Sequence, residues 1–325
     1  MNISRAVVVL AITALVLSLA AIGLAGDSGA PRKSTLSVWH DGSWRPFWRS
    51  DRAPARWTTA HAWIERSLEW KRLSKGLEWA TLRLSCGGQT CRTRLIVARL
   101  DPTQVKLELT MDLTREDMRP AWTIDRAPPS AVLAVNAGQF VSTMPWGWVV
   151  VDGRQVLGPG FGPLSSAVAI GTDGALRWFH GDSLMSASGV AAGFQSYPTL
   201  LAGDGVVPRA IRETGNGVNL THRDTRLALG TARDGALLIA LTRYDAVGSM
   251  AGGVPVGPTT PEMAAIMGAL GATDAVMLDG GISAQLLLRE PTSGKTLRWP
   301  GLRKVPLALI VTSREGMADR SVAPR

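Results

Sequence analysis

Four Asp-Gly pairs, at 152–153, 173–174, 204–205 and 234–235, lie between or beside short apolar runs rich in β-branched residues. An Asp-Gly pair suits the tight turn that joins two antiparallel strands, because both central positions of that turn need a positive φ. The pattern therefore predicts hairpins such as Trp148–Val151 with Arg154–Leu157, and Leu227–Gly230 with Ala236–Leu241. Ala169–Leu176 echoes Ala228–Leu237, which suggests two similar hairpins within one sheet system. The expected class is α+β, with a mixed, largely antiparallel sheet and a few embedded helices behind an N-terminal signal or anchor helix. Hydrophobic residues make up 46% of the 325, which excludes wholesale disorder, and 19% charged residues excludes a coiled coil. Two cysteines exclude a disulfide-dense scaffold and a four-cysteine zinc site.

One helix has clear punctuation. Thr259-Thr260-Pro261-Glu262 offers an N-cap, an early proline and a capping-box carboxylate, followed by Met263, Ile266, Met267 and Leu270 at helical spacing and by Gly271. The run Ala275–Leu278 then reads as a short buried strand that delivers Asp279 onto a Gly280-Gly281 turn. Residues 60–74 form a second expected helix, begun at Thr58 or Thr59 and stopped at Gly76. The main domain is expected to span 76–315, with a tail at 316–325.

The N-terminus points to export. Arg5 precedes Ala6–Ala25, a run whose only polar members are Thr13 and Ser18. Residues 1–30 read as a signal peptide or as an anchor that keeps the chain on the membrane through residues 6–25, with a buried core helix as the alternative. A periplasmic or extracellular location follows. In an oxidising compartment Cys86 and Cys91, which flank a four-residue connection between the strand-like runs Trp79–Ser85 and Thr93–Leu100, are expected to cross-link a hairpin; two reduced thiols are the alternative. Residues 31–75 hold ten Lys or Arg against four acids, an excess of six out of the chain's net nine, together with six of the 12 Trp. This segment reads as a basic, Trp-rich stalk next to the membrane signal, whose Trp residues pack back on the domain; stacking on bases, sugars or lipid headgroups is the alternative. With the excess charge gathered there, the remaining domain is only mildly basic, and a nucleic-acid enzyme is not indicated.

The usual catalytic signatures are missing: there is no GxSxG elbow, HExxH helix, Walker loop or CxxC pair. Three junctions between apolar and polar residues carry more information. The apolar run Ala131–Val135 leads to Asn136-Ala137-Gly138-Gln139-Phe140; Gln195-Ser196-Tyr197-Pro198 precedes another apolar run; and His222-Arg223-Asp224-Thr225-Arg226 opens a third. With Asp279 and Ser283 they assemble a carboxylate, guanidinium groups, two amides and a hydroxyl. That inventory suits a phosphate or sugar-phosphate ligand, because guanidinium binds phosphate bidentately and a carboxylate can move a proton. No cofactor is identified. No ligand set with metal spacing is visible, although Asp279 among glycines and carbonyls leaves a divalent cation open.

These junctions resemble, in order and spacing over roughly residues 76–312, the motifs of the phosphodiester glycosidase family. Asn136–Phe140 resembles its Asn-Gly/Ala-Gly-x-Phe motif, Gln195–Pro198 its Gln-Ser/Gly-x-Pro stretch, and Thr225–Gly230 its Arg-Thr-Ala-Ile-Gly strand. The stretch from Thr260 to Ser283 resembles the helix and strand that end in Leu-Asp-Gly-Gly-Gly-Ser. The resemblance implies a hydrolase that cleaves the bond between a sugar and a phosphodiester, with a glycosyl phosphodiester or phosphorylated glycan as its partner. It implies a pocket lined by Asn136, Gln195, Arg226, Asp279, Gly280 and Ser283. Arg226 would take the phosphate, Asp279 acid/base or nucleophilic work, and the amides and Ser283 the hydroxyls and phosphate oxygens. Ile282 stands where the family has a third glycine, and Gln139 where it often has an apolar residue. The second carboxylate of an ordinary glycosidase is not identified. The leading reading is an exported hydrolase acting on envelope polymers or exopolysaccharide; a non-catalytic phosphoglycan binder using the same pocket is the alternative, and a polyanion binder using residues 31–75 is a third.

Overall fold

The computed structural model describes residues 33–86, 91–162, 165–180, 183, 188–215, 218–244 and 256–314. The signal or anchor expected at 1–30, the middle of the cysteine-flanked connection and the tail at 316–325 lie outside the described residues. Among the described residues no helix is long and apolar enough to cross a membrane.

Three antiparallel sheets carry the fold. The largest has nine strands in the order β15 (Thr199–Leu201), β18 (Ala272–Leu278), β16 (Leu227–Ala232), β17 (Leu237–Tyr244), β5 (Cys91–Leu100), β4 (Leu77–Cys86), β1 (Thr35–His40), β2 (Ser43–Arg49), with β3 (Lys71–Ser74) also paired to β4. A second sheet runs β11 (Arg154–Leu157), β10 (Val149–Val151), β14 (Val190–Ser196), β12 (Ser166–Gly171), β13 (Leu176–His180). The third runs β20 (Thr296–Trp299), β19 (Leu286–Arg289), β7 (Ala131–Asn136), β21 (Leu307–Ser313), β6 (Val105–Met111). A small ribbon of β8 (Phe140–Val141) and β9 (Met144–Pro145) follows the end of β7. Every strand pairing is antiparallel, so the mixed component expected from sequence does not occur among the described residues.

The nine-stranded sheet is covered on both faces, and strand alternation decides which residue goes where. On β17, Leu237, Ile239 and Leu241 join the core shared with the other two sheets, which contribute Leu133, Leu309, Val168 and Phe194. Leu238 and Ala240 point the other way, into a second core with Met263, Ile266 and Met267. That second core lies under helix α3 (Thr260–Ala269), which follows two short helices, α1 (Ala62–Ser67) and α2 (Arg209–Arg212). Helix α3 starts as its sequence dictates: the Thr259 hydroxyl accepts from the Glu262 N–H while the Glu262 carboxylate accepts from the Thr259 N–H.

The turns follow their chemistry. Asp152-Gly153 closes β10 on β11 in a two-residue turn with both residues at positive φ. Asp41-Gly42 does the same between β1 and β2, in a segment where no hairpin is foreseen from sequence. The two echoing hairpins form, but in different sheets: β12–β13 in the second and β16–β17 in the first. Two contacts join β13 to the first sheet, one at β16 and one at β18. Trp178 Nε1 donates to Thr231 Oγ1 at 2.8 Å, and His180, whose Nδ1 lies 2.7 Å from Ser166 Oγ, reaches Asp274 with Nε2 at 3.1 Å.

Residues 31–75 depart most from expectation. From Lys33 onward they belong to the same compact unit as the rest of the described chain, so a stalk bounded at residue 75 is not what forms. β1 hydrogen-bonds to β4, and Leu36, Val38, Phe47, Trp48, Trp57 and Ile64 enter the second core. The helix expected over 60–74 stops at Ser67, because Lys71–Ser74 turns through Gly76 to pair with β4. Gly76, at φ +72°, serves a hairpin turn and not a helix stop. Trp57 is the anchor of this segment. Its N–H donates to the Gly205 carbonyl at 2.8 Å, and its ring lies so close to α3 that a Cβ on Gly268 would sit 2.2 Å from Trp57 Cδ1.

Two substitutions test that anchor. Trp57→Ala is expected to lower the unfolding free energy by about 3 kcal/mol through the cavity it leaves. Gly268→Ala is expected to lower it by about 2 kcal/mol through overpacking. Urea denaturation of the two variants reads both, and unchanged midpoints would show that the segment is not integral to the core.

Candidate functional site

The candidate residues sit where strand ends from the three sheets converge. β7 of the third sheet ends at Asn136, β14 of the second ends at Gln195-Ser196, β18 of the first ends just before Asp279, and β16 begins just after Arg226. Side chains and backbone sew these ends together. Asn136 Nδ2 donates to the Asp279 carbonyl at 2.9 Å, and Asn136 Oδ1 accepts from the Gln285 N–H at 2.9 Å. The Asp279 N–H donates to the Gly138 carbonyl at 2.8 Å, and the Ser196 hydroxyl to the Met277 carbonyl at 2.5 Å. The Gly281 N–H donates to the Thr225 carbonyl at 2.8 Å.

The glycines of the turn are required by this proximity. A Cβ on Gly280 would stand 2.5 Å from the Thr225 carbonyl oxygen, and one on Gly281 would stand 2.8 Å from Asp224 Oδ2. Ile282 is different: it has no positive φ, and its side chain is 42% exposed. The third glycine of the family motif is therefore not needed to build the turn.

The six expected residues differ in what they can do. Asn136 is fully buried and its amide is occupied by two backbone groups. Gln195 is also buried; its Oε1 accepts from Trp148 N–H at 3.0 Å and Gly160 N–H at 2.7 Å, while its Nε2 donates to the Gly160 carbonyl at 2.9 Å. Both amides hold the protein's own backbone and position the site; the hydroxyl-binding role expected of them is taken up by these bonds. Arg226 is buried too, with Nε on the Pro258 carbonyl at 2.9 Å and Nη2 on the His222 carbonyl at 2.5 Å. Burial holds its pKa below the usual guanidinium value, against the opposing charges of Asp224 and Glu262. Most of its fork is thus directed at backbone. Ser283 is buried at the end of the Asp279 turn and hydrogen-bonds to the Asp279 carboxyl.

Asp279 carries the unusual electrostatics. Its Oδ2 is a buried oxygen without a hydrogen-bond partner, a costly arrangement of the kind concentrated at functional sites. Burial raises its pKa above the ordinary carboxyl value, and the charge of Asp224 adds to the rise, while Ser283 and Arg303 oppose it. Asp224 is also raised by burial, opposed by Arg226, the Thr225 N–H and His222. Its Oδ1 accepts from the Thr225 N–H at 2.8 Å, and Oδ2 lies 3.6 Å from His222 Nε2. Asp224 is thus a second carboxylate at this convergence, close enough for its charge to act on Asp279. The signal was present: Asp224 stands two residues before Arg226, inside the stretch already singled out.

Arg303 was missed altogether. Its guanidinium stacks over the Phe140 ring at 4.1 Å, and Nη2 lies 4.0 Å from Asp279 Oδ2. With 45% of its side chain exposed, it is a cation at this site that solvent can reach. Nothing in the basic run Arg303-Lys304 distinguishes it in sequence. Glu262 caps its helix as expected, and beyond the cap its carboxylate is held by Arg223 through two bonds of 2.8 Å and by the Ser34 hydroxyl.

Among the described residues no group of three or more His, Cys, Asp or Glu is arranged to hold a metal ion. A groove of about 540 Å³ lies apart from this site, lined in part by Trp57, Glu65, Trp70, Arg99 and Arg233; none of the converging residues contributes to it. The register pairs Cys86 with Cys91, whose side chain lies outside the described residues.

Comparison with known proteins agrees with the arrangement. No curated protein matches the chain. The solved catalytic domain of zebrafish N-acetylglucosamine-1-phosphodiester alpha-N-acetylglucosaminidase, described as auto-inhibited by its pro-peptide, is similar in fold, with a TM-score of 0.52 and 16% identity over 76% of this chain and 89% of that one. A hypothetical protein from Synechocystis matches with a TM-score of 0.46 and 16% identity, over 76% of this chain and 64% of that one. The family profile for phosphodiester glycosidases matches residues 129–312, more than half of the chain and the whole of the convergence from Asn136 to Arg303. The chain belongs to the phosphodiester glycosidase family.

Proposed function

We propose that the chain is a hydrolase that cleaves the bond between a sugar's anomeric carbon and the phosphate of a glycosyl phosphodiester. The observation that carries this reading is the pair of half-buried carboxylates, Asp279 and Asp224, held in unlike environments beside an accessible guanidinium. Asp224 is surrounded by groups that favour its anion: the Thr225 N–H, His222 and Arg226. Asp279 keeps one buried oxygen without a donor and feels Asp224 as a like charge. Unlike environments separate the roles of two carboxyls, so Asp279 is the proton donor and Asp224 the anion that acts as base or nucleophile. Arg303 takes the phosphate oxygens, because Arg226 is committed to backbone carbonyls; Arg226 instead opposes the rise that burial gives the Asp224 pKa. Water adds at the anomeric carbon and the phosphate monoester departs with the bridging oxygen. Family membership supports a glycosidase-type hydrolase, and the zebrafish likeness supports the fold on which it would act.

Release of sugar from an N-acetylglucosamine 1-phosphodiester by the purified full chain tests this reading. Asp279→Asn and Asp224→Asn should each lower kcat by about 10³-fold. Arg303→Ala should raise KM by about tenfold with a smaller effect on kcat. A wild-type chain that binds the diester without turnover would overturn the hydrolase reading and leave a phosphoglycan binder.

The same raised pKa predicts a stability effect with a definite sign. A carboxyl whose folded pKa lies above its unfolded one binds more protons when folded, so stability is lost as pH rises from the unfolded pKa through the folded one. Asp279→Asn should therefore melt higher than wild type at pH 7, with the difference shrinking toward pH 3. In catalysis, the proton on Asp279 is needed, so kcat/KM should fall as pH rises through that pKa, and the Asn variant should lack this limb.

Export belongs to the same proposal. The apolar run Ala6–Ala25 behind Arg5 serves as a signal peptide or membrane anchor, and places the domain where envelope polymers or exopolysaccharide are found. There Cys86 and Cys91, opposite each other in the β4–β5 ladder, form a disulfide. Maleimide should label neither cysteine in the denatured, unreduced protein and both after reduction; labelling before reduction would overturn the staple.

A further inference from the structure

The groove of about 540 Å³ is built partly from the segment that reads in sequence as a stalk. Trp57, the residues just after it, α1 and the stretch that follows α1 supply one part of the lining. Glu78 of β4, Arg99 of β5 and the Arg233-Asp234 turn between β16 and β17 supply another, and the end of α3 completes it. Its volume falls in the range of small-molecule sites. β16 and β18 both run between the groove and the converging strand ends: Ala232 and Gly271 stand at the groove, Arg226 and Asp279 at the other end. Six or seven residues of strand make that separation about 20 Å.

Trp70 is the residue of the groove that the fold leaves unused. Trp48, Trp57, Trp122 and Trp148 are buried, and every other Trp but Trp70 meets a second ring or a cation. Among the described residues Trp70 meets neither; it is half-buried, lines the groove and joins none of the hydrophobic cores. Such an indole offers a flat apolar face with an N–H at its edge.

The charged groups around it are fixed by one another. Arg99 donates from Nη1 to Glu78 at 3.1 Å and from Nη2 to Asp234, whose Oδ1 accepts from the Ala236 N–H at 3.1 Å. Arg233 donates to Asp204 at 2.6 Å. Thr58 and Thr59 add exposed hydroxyls, and the backbone beside them is held by the His61 N–H on the Ala269 carbonyl at 2.9 Å. Donors and acceptors held in place in this way suit hydroxyls, which both give and accept hydrogen bonds. The lining sets the carboxylates of Glu65, Glu78 and Asp234 against two guanidiniums that are already bonded, so a phosphate is not called for. A purely apolar ligand would cut those ion pairs off from water.

We propose that this groove binds a neutral oligosaccharide, with one sugar ring stacked on Trp70 and its hydroxyls on the Glu78–Arg99–Asp234 set, as a second carbohydrate site away from the reacting groups. A sugar fits both halves of the lining, since its ring has an apolar C–H face and a polar edge. The inference goes beyond the hydrolase reading and does not rest on it.

Isothermal titration of the full chain with the β-1,4-linked tetrasaccharides of glucose and of N-acetylglucosamine tests the groove. At least one of them should bind, and its affinity should change by less than about twofold between about 50 and 500 mM NaCl, as no counterions are released. Trp70→Ala should weaken binding at least tenfold. Trp70→Tyr, which keeps a flat ring, should stay within about threefold of wild type, an outcome that a disrupted groove would not give. Turnover of the N-acetylglucosamine 1-phosphodiester should stay within about twofold of wild type in Trp70→Ala. Failure of both tetrasaccharides to bind overturns the proposal, as does undiminished binding in Trp70→Ala. So does a result in which Trp70→Ala loses affinity for poly(glycerol phosphate) or phosphatidylglycerol vesicles but for neither tetrasaccharide. If the wild type turns over no diester yet binds a tetrasaccharide through Trp70, the hydrolase reading fails and the groove stands; turnover without tetrasaccharide binding gives the reverse.

Discussion

The side chain of Asn136 holds the site together. One buried amide donates to the backbone at Asp279 and accepts from the backbone at Gln285, so a residue ending a strand of one sheet fixes both ends of the loop that leaves another. Without water as a competitor, each of those bonds is worth more than its exposed counterpart, and an unpaired amide there would be costly. The position of Asp279 relative to Asp224 follows from this clasp and from the Gly281 N–H on the Thr225 carbonyl. Gln195 repeats the device on the second sheet, tying the Trp148 and Gly160 backbones to the strand that adjoins Gly138.

What the clasp secures is an electrostatic set that reaches back into helix α3. Glu262 caps the helix and binds Arg223, while its charge also acts on Arg226, which in turn acts on Asp224. Charges therefore alternate from the helix start to the pair of carboxyls. The rise that burial gives the Asp224 pKa is opposed by Arg226, the Thr225 N–H and His222 together and not by any single partner.

Much of this was legible in sequence, because hairpin turns, strand periodicity and capping are local. Thr259-Thr260-Pro261-Glu262 specified the helix start to the residue, and the short apolar runs placed Asn136, Gln195, Arg226 and Asp279 at strand ends. The errors arose where tertiary context decides. Whether an amide faces a ligand or a neighbouring backbone depends on which strand end lies opposite, and no local pattern records that. Arg303 lies in an ordinary basic loop, and its role comes from Phe140 and Asp279, which are remote in sequence. Trp57 reads as part of a stalk because its partners Gly205 and Gly268 are remote in the chain and fit against it only because they lack a Cβ.

Ile282 shows how such a turn can be modified without being rebuilt. Gly280 and Gly281 are fixed by contact with the Thr225 carbonyl and the Asp224 carboxylate, but the next position is exposed and has no positive φ. A branched aliphatic group is accommodated there while Asp279 and Ser283 keep their places. The turn thus separates two demands that usually conflict: its first half is fixed by close contact with a neighbouring strand end, and its third residue is open to a change of size and polarity without rebuilding the backbone.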